Sequence, residues 1–165
     1  RSGVSVRASI TNYESLLANA QRRAIKLQEK DVVPRVSDLP FLIPSLSGKI
    51  EFETVEDGRE EQIIEKLIQG AVHSVFNRYY NIGELEEVVM KFKAGSSAEV
   101  GPDVPWAEYT ALLETVDGLG AAVDKVAAKA KPSEKASAVE FVLEGLHLNK
   151  RLNKDRMAGR AQYRG

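Results

Sequence analysis

Residues Ile63-Ile64-Glu65-Lys66-Leu67-Ile68-Gln69-Gly70-Ala71-Val72-His73-Ser74-Val75-Phe76-Asn77-Arg78-Tyr79 decide the fold class. Apolar side chains recur as pairs at helical spacing, from Ile63 and Ile64 through Leu67 and Ile68, Ala71 and Val72, to Val75, Phe76 and Tyr79. A stripe that wide touches two neighbours at once, so the segment predicts the central helix of a helical bundle. Asp57-Gly58-Arg59-Glu60 just before it has the spacing of a capping box, with Asp57 as cap and Glu60 reaching back.

Moving toward the N-terminus, residues 40–57 form a joint. Pro40 and Pro44 bracket Phe41-Leu42-Ile43, and Ser45, Ser47 and Gly48 favour turns. Lys49-Ile50-Glu51-Phe52-Glu53-Thr54-Val55 alternates apolar and polar residues, which predicts one short half-buried strand that either pairs with a second short extended piece or docks on a sheet edge of a parent protein. Moving the other way, Asn81-Ile82-Gly83 breaks the central helix, and Leu85, Val88, Val89 and Phe92 mark a shorter one closed by Gly95. Gly95 to Asp103 reads as a loop. Pro105 suits the start of a helix that buries Trp106, Tyr109, Leu112, Leu113 and Val116. Asp117-Gly118 turns the chain into an alanine-rich helix over 121–130. Pro132-Ser133 opens a final helix expected to point Ala138, Phe141, Val142, Leu146, Leu148 and Leu152 inward. The fold class is therefore mainly α: six or seven helices, with at most a short strand or hairpin near residues 49–55.

The N-terminal segment has its own frame. Ser5 is a candidate N-cap, and Ile10, Tyr13, Leu16, Leu17, Ala20, Ala24 and Leu27 follow as one helical face. Arg22, Arg23 and Lys26 fall where cations suit the helix dipole. Pro34 keeps Val33 extended, and Ser37 or Asp38 can cap a second, short helix. Within this frame Gly3-Val4-Ser5-Val6-Arg7-Ala8-Ser9 resembles the sensor-2 motif of AAA+ ATPases, in the group that includes the MoxR proteins and the ATPase subunit of magnesium chelatase. The resemblance runs over residues 1 to about 40. It implies that Arg7 sits on the first helix of the AAA+ lid and points at the γ-phosphate of ATP. The stretches Leu46 to Glu53, Leu67 to Val72 and Leu152 to Arg156 resemble the long C-terminal region of bacterial magnesium-chelatase-like ATPases.

The resemblance divides the chain into a lid (1–45) and a C-terminal helical domain (46–165). The sequence holds no Gly-x-x-x-x-Gly-Lys-Ser/Thr loop to cradle phosphates, and no hydrophobic strand ending in paired acids to hold Mg²⁺. A chain opening directly at the sensor-2 turn reads as the lid and tail of an ATPase whose ATP-binding core lies upstream. ATP and Mg²⁺ are then cofactors of that parent, a AAA+ ring is its expected assembly, and this part alone is expected to be inactive and to bind neither.

Composition fits a globular protein of the cytoplasm. Hydrophobic residues make up 43% and charged residues 28%, enough for a core without staples. Net charge is −1, so no global field draws the chain to nucleic acid or anionic membranes. The absence of cysteine excludes a disulfide framework and thiolate metal sites. No apolar run approaches the roughly 20 residues that span a bilayer.

From Lys150 onward the charge is one-signed: Lys150, Arg151, Lys154, Arg156, Arg160 and Arg164 face Asp155 alone. Read as a helix end, these cations suit the dipole or pair internally. Read as a site, Lys150, Arg151, Lys154 and Arg156 form a docking patch for an acidic partner. Only Tyr163 interleaves, which argues against a single-strand stacking platform. His73 and His147 lack ligand-spaced companions, so no metal site is predicted. Glu84, Glu86 and Glu87 suit a helix start. Two functions from different classes follow: a AAA+ lid with a helical extension that couples ATP turnover to remodelling or metal-insertion work on a partner protein, and a stand-alone helical module that binds protein or nucleic acid through its basic end.

Overall fold

The computed structural model describes residues 3–47, 49–51, 59–157 and 159–165. Among them are seven α-helices and five short strands. Strand β1 (Gly3–Val4) pairs antiparallel with β2 (Ile50–Glu51), the described part of the alternating stretch. The second extended piece expected for that strand is thus the opening of the chain itself. Residues 52–58, including the Asp57 cap, lie outside the described residues.

Helix α1 (Val6–Leu27) starts where Ser5 accepts the Arg7 backbone N–H, and stops at Gln28 in the left-handed conformation. A 3₁₀ segment (Val36–Leu42) and the short α2 (Ile43–Leu46) fold back along α1. Helix α3 (Glu60–Tyr79) is central, as its stripe predicts. Near its start Ile64 joins a small core with Ala8, Leu42 and Leu46; near its end Phe76 joins the main core. The stripe is wide because the helix serves two cores. Not all of it is covered: Leu67 and Tyr79 are exposed, as are Ile10 and Tyr13 on α1, against the expectation that they point inward.

A 3₁₀ turn (Ile82–Leu85) leads into α4 (Glu86–Lys93), then α5 (Trp106–Thr115), α6 (Leu119–Ala127) and α7 (Pro132–Leu148). Helix α7 packs against α3, α5 and α6 and is the axis of the main core. Its expected run to Leu152 is a correction. The helix ends at Leu148, Lys150 takes a left-handed conformation, and the chain turns into strands β4 (Asn153–Met157) and β5 (Arg160–Arg164). With β3 (Ser97–Val100), inside the stretch expected to be a loop, they form a three-stranded antiparallel sheet ordered β3-β5-β4. The hairpin is therefore at the C-terminus: Lys150 and Arg151 lie in the turn that closes α7, and Lys154, Arg156, Arg160 and Arg164 lie on strands. The fold remains mainly α. No helix among the described residues is long and apolar enough to cross a membrane.

Candidate functional site

Arg7 lies in the first turn of α1, fully outside the core, while the next residue, Ala8, is buried. The start of the helix is fixed from two sides: by the Ser5 cap, and by the Ser5 N–H donating to the Lys49 carbonyl at 3.3 Å. The same end of the helix exposes three large apolar side chains. Val6 is 83% exposed, Ile10 60% and Tyr13 65%. They recur at i, i+4 and i+7, so they form one stripe on the helix end that carries Arg7.

The far half of α1 is anchored by charge. Arg23 is buried and pairs with the buried Asp38 carboxylate; its other nitrogen donates to the Val33 carbonyl. Asn19 donates to the same carboxylate at 2.9 Å, and the Arg35 N–H does so at 2.8 Å. The sequence alone places Arg23 among the cations that suit the helix dipole. The signal missed by that reading is Asp38, the acid of the following segment, which serves Arg23 and the Arg35 N–H together.

A second polar seam joins residues 29–38 to the main core. Arg35 donates to the Val104 carbonyl at 2.7 Å and pairs with Glu29, and Glu29 accepts the Trp106 N–H at 2.7 Å. Its guanidinium lies 4.7 Å from the Tyr109 ring centre. The buried Glu140 carboxyl of α7 accepts the Tyr109 hydroxyl at 2.5 Å, the Ser37 N–H at 2.7 Å and the Ser37 hydroxyl at 3.0 Å. Burial pushes Glu140 above the usual carboxylate range, and its hydrogen bonds and Arg35 temper the rise. Tyr109 is driven upward by burial first and by the Glu140 charge second.

The four basic docking candidates do not form one free patch. Arg151 pairs with Glu86, Lys154 with Glu144 at 2.6 Å, and Arg156 with Glu65; Arg160 and Arg164 meet Glu99 and Asp155. Lys150 is exposed. The Lys154–Glu144 pair is the buried one, and Glu144 also accepts the Tyr163 hydroxyl. Lys154 and Arg156 share the hairpin face that carries Tyr163 and Ala161, in register across β5. Beneath them lies a cleft of about 250 Å³, walled by the hairpin, the 3₁₀ segment, Glu140 and the end of β3. His73 contacts Asn149 and Asn77, and His147 contacts the Leu152 carbonyl. Among the described residues no cluster of three or more metal-binding side chains occurs.

No family profile, no curated protein sequence and no solved structure matches the chain.

Proposed function

We propose that this chain is the lid and C-terminal helical region of a AAA+ ATPase of the magnesium chelatase or MoxR-like group, with Arg7 as its nucleotide-sensing residue. The observation that carries this reading is the end of α1. An outward arginine is held by a capped first turn and flanked by an apolar stripe that water covers poorly. An ATP-binding core seated on Val6, Ile10 and Tyr13 would cover the stripe and bring the guanidinium to a phosphate. A planar fork suits that contact.

The rest of α1 supports the coupling role. The helix has 22 residues, about 33 Å at 1.5 Å per residue. Its far half is tied through Asp38 and the 29–38 segment into the main core. A small rotation at Arg7 is therefore passed to α5 and α7 as a rigid displacement. ATP and Mg²⁺ belong to the parent core, and ring assembly and the remodelled partner belong to the parent as well. The stand-alone reading through the basic end is weaker, because five of the six terminal cations already have carboxylate partners.

The test uses this region joined to the core that its gene encodes upstream. Arg7→Ala is expected to lower ATP turnover by roughly 100-fold, the size seen when one preorganised donor is removed from a transition-state charge. The melting temperature is expected to stay put, since Arg7 is exposed. The region alone is expected to release no phosphate. An upstream reading frame without a phosphate-binding loop, or turnover and nucleotide affinity unchanged by Arg7→Ala, refutes the assignment.

A further inference from the structure

We propose that a pocket beside the C-terminal half of α1 binds a phosphate dianion, free or carried on a small molecule. The pocket has a volume of about 250 Å³ and is lined by Arg22, Arg23 and Lys26 of α1 and by Pro102 and Asp103 of the loop between β3 and α5. It lies about 22 Å along α1 from Arg7, and the proposal does not depend on the reading of that residue.

Arg22 supplies the free charge. It is exposed, and among the described residues it has no carboxylate partner. One terminal nitrogen donates to the Asn19 side-chain oxygen at 2.8 Å, and the guanidinium lies over the Phe41 ring, 4.9 Å from its centre. Asn19 thus takes one donor and Phe41 one face. The remaining N–H groups point along the edge of the fork, where an oxyanion accepts them in plane. The stacked ring also restrains the fork, so less freedom is lost when an anion arrives. Across the pocket, Asp103 is lowered first by its hydrogen bond with Lys26, and the charges of Arg160 and Arg22 add to the effect. The charge of Arg22 therefore bears on the pocket and not away from it.

Arg23 gives a second, separate observation. Its terminal nitrogens are taken by Asp38 and by the Val33 carbonyl, but its buried Nε N–H has no acceptor among the described residues. Buried donors in folded proteins are almost always met by protein, water or an ion. An anion in the pocket that Arg23 lines meets this donor directly or through one ordered water. Arg23 is balanced by Asp38 and Lys26 by Asp103, which leaves the charge of Arg22 uncompensated. Asp103 is the one acid on the wall. Its pair with Lys26 is exposed, so it contributes little, and the ammonium keeps two further donors. A dianion with several oxygens draws on Arg22 and Lys26 together, whereas chloride brings one charge and no paired oxygens.

Two sources present this chemistry: inorganic phosphate, and a small phosphate monoester. Titration of the isotope-labelled full chain at constant ionic strength separates them, with sodium phosphate and glycerol 3-phosphate as probes and sodium chloride as control. Both phosphates are expected to shift the Nε–H signals of Arg22 and Arg23, and chloride to leave them in place. Tighter binding of glycerol 3-phosphate names a monoester as the source; equal or tighter binding of inorganic phosphate names the free ion. Arg22→Gln is expected to weaken binding by roughly 10-fold or more, while the melting temperature holds because Arg22 is exposed and pairs with no acid. Asp103→Asn takes the acid from the wall and frees Lys26, so it is expected to tighten binding severalfold. Should Arg22→Gln melt early, Asp103→Asn decides. No shifts up to about 10 mM phosphate, chloride that moves the same signals as far, a folded Arg22→Gln that binds like the wild type, or an Asp103→Asn that binds no tighter overturns the proposal.

Discussion

Glu140 is the residue on which the two halves of the molecule meet. It is 1% exposed, and its carboxyl takes hydrogen bonds from α5 through Tyr109 and from the 3₁₀ segment through Ser37. Arg35 is the nearest compensating cation, and Glu144 lies one turn along α7, paired with Lys154. A carboxyl held above its unfolded value binds its proton more tightly in the fold. The stability linked to it is full below 4.5, the ordinary value, and declines as pH rises through the folded value. Asp31 and Asp103 act in the opposite sense. Hydrogen bonds from Lys131 and Ser133 lower the first and Lys26 lowers the second, so their contribution is lost as pH falls through their folded values. Glu140→Gln keeps an oxygen acceptor and removes the titration. Subtracting its urea midpoints from those of the wild type, pH by pH, is expected to leave a curve that falls above 4.5 and then flattens. A flat difference throughout would show that Glu140 titrates as an ordinary carboxyl. None of this was legible in the sequence, where Glu140 is one acid among many. Its partners lie 31 and 103 residues away.

At the scale of elements, the contact between α3 and α7 sets the core. Gly145 on α7 lies over Phe76 of α3, and a Cβ added there would fall 1.9 Å from the phenyl ring. The ring cannot easily yield, since it stacks on Tyr80 at 4.9 Å and meets Phe141 edge-on at 5.8 Å. Gly145→Ala is therefore expected to destabilise by about 1–3 kcal/mol, the usual cost of overpacking, despite alanine's better helix propensity. Ile64→Ala, at a fully buried position, is expected to cost about 2–5 kcal/mol. Leu67→Ala, at a position 53% exposed, is expected to cost well under half as much. Urea midpoints of the three variants rank these contacts, and equal losses at Ile64 and Leu67 would mean that the outer face of α3 is also covered. The helices were legible because apolar periodicity and Pro and Gly breaks agree over long stretches. The C-terminal sheet was not. In β4 the side chain that is largely covered is Lys154, which buries its stem and presents its charge to Glu144, while Arg156 on the same face stays exposed. Alternation of apolar and polar residues is therefore missing from that strand. Charged edge strands also limit unwanted pairing, so the feature that hides the strand from sequence reading suits its position in the sheet.

For the whole molecule, the decisive arrangement is two apolar cores joined by polar seams. The smaller core holds Ala8, Leu42, Leu46 and Ile64; the larger runs from Phe76 to Tyr163. Helix α3 contributes to both. Elsewhere the first 45 residues meet the rest through directed polar contacts: Lys26 with Asp103, Arg35 with the Val104 carbonyl, Ser37 with Glu140, and Asp31 with Lys131 and Ser133. Directed contacts fix orientation more sharply than apolar area does, which suits a unit that must transmit movement from α1. The C-terminal hairpin closes the same assembly from the other side. Its pairs reach α3 through Glu65, α4 through Glu86 and α7 through Glu144. The basic end is thus part of the fold, and charge reversal separates its members. Lys154→Glu would set a second carboxylate against Glu144, whose side chain is 7% exposed, and break a largely buried pair. The expected loss is about 3–5 kcal/mol. Lys150→Glu, on the exposed turn before β4, is expected to stay within about 0.5 kcal/mol. Thermal and urea unfolding of the two single variants tests this directly. If both leave the midpoints unchanged, the Lys154–Glu144 pair does not hold the hairpin to α7. If Lys154→Glu alone unfolds early, the Lys154–Glu144 pair is what fastens the hairpin to α7.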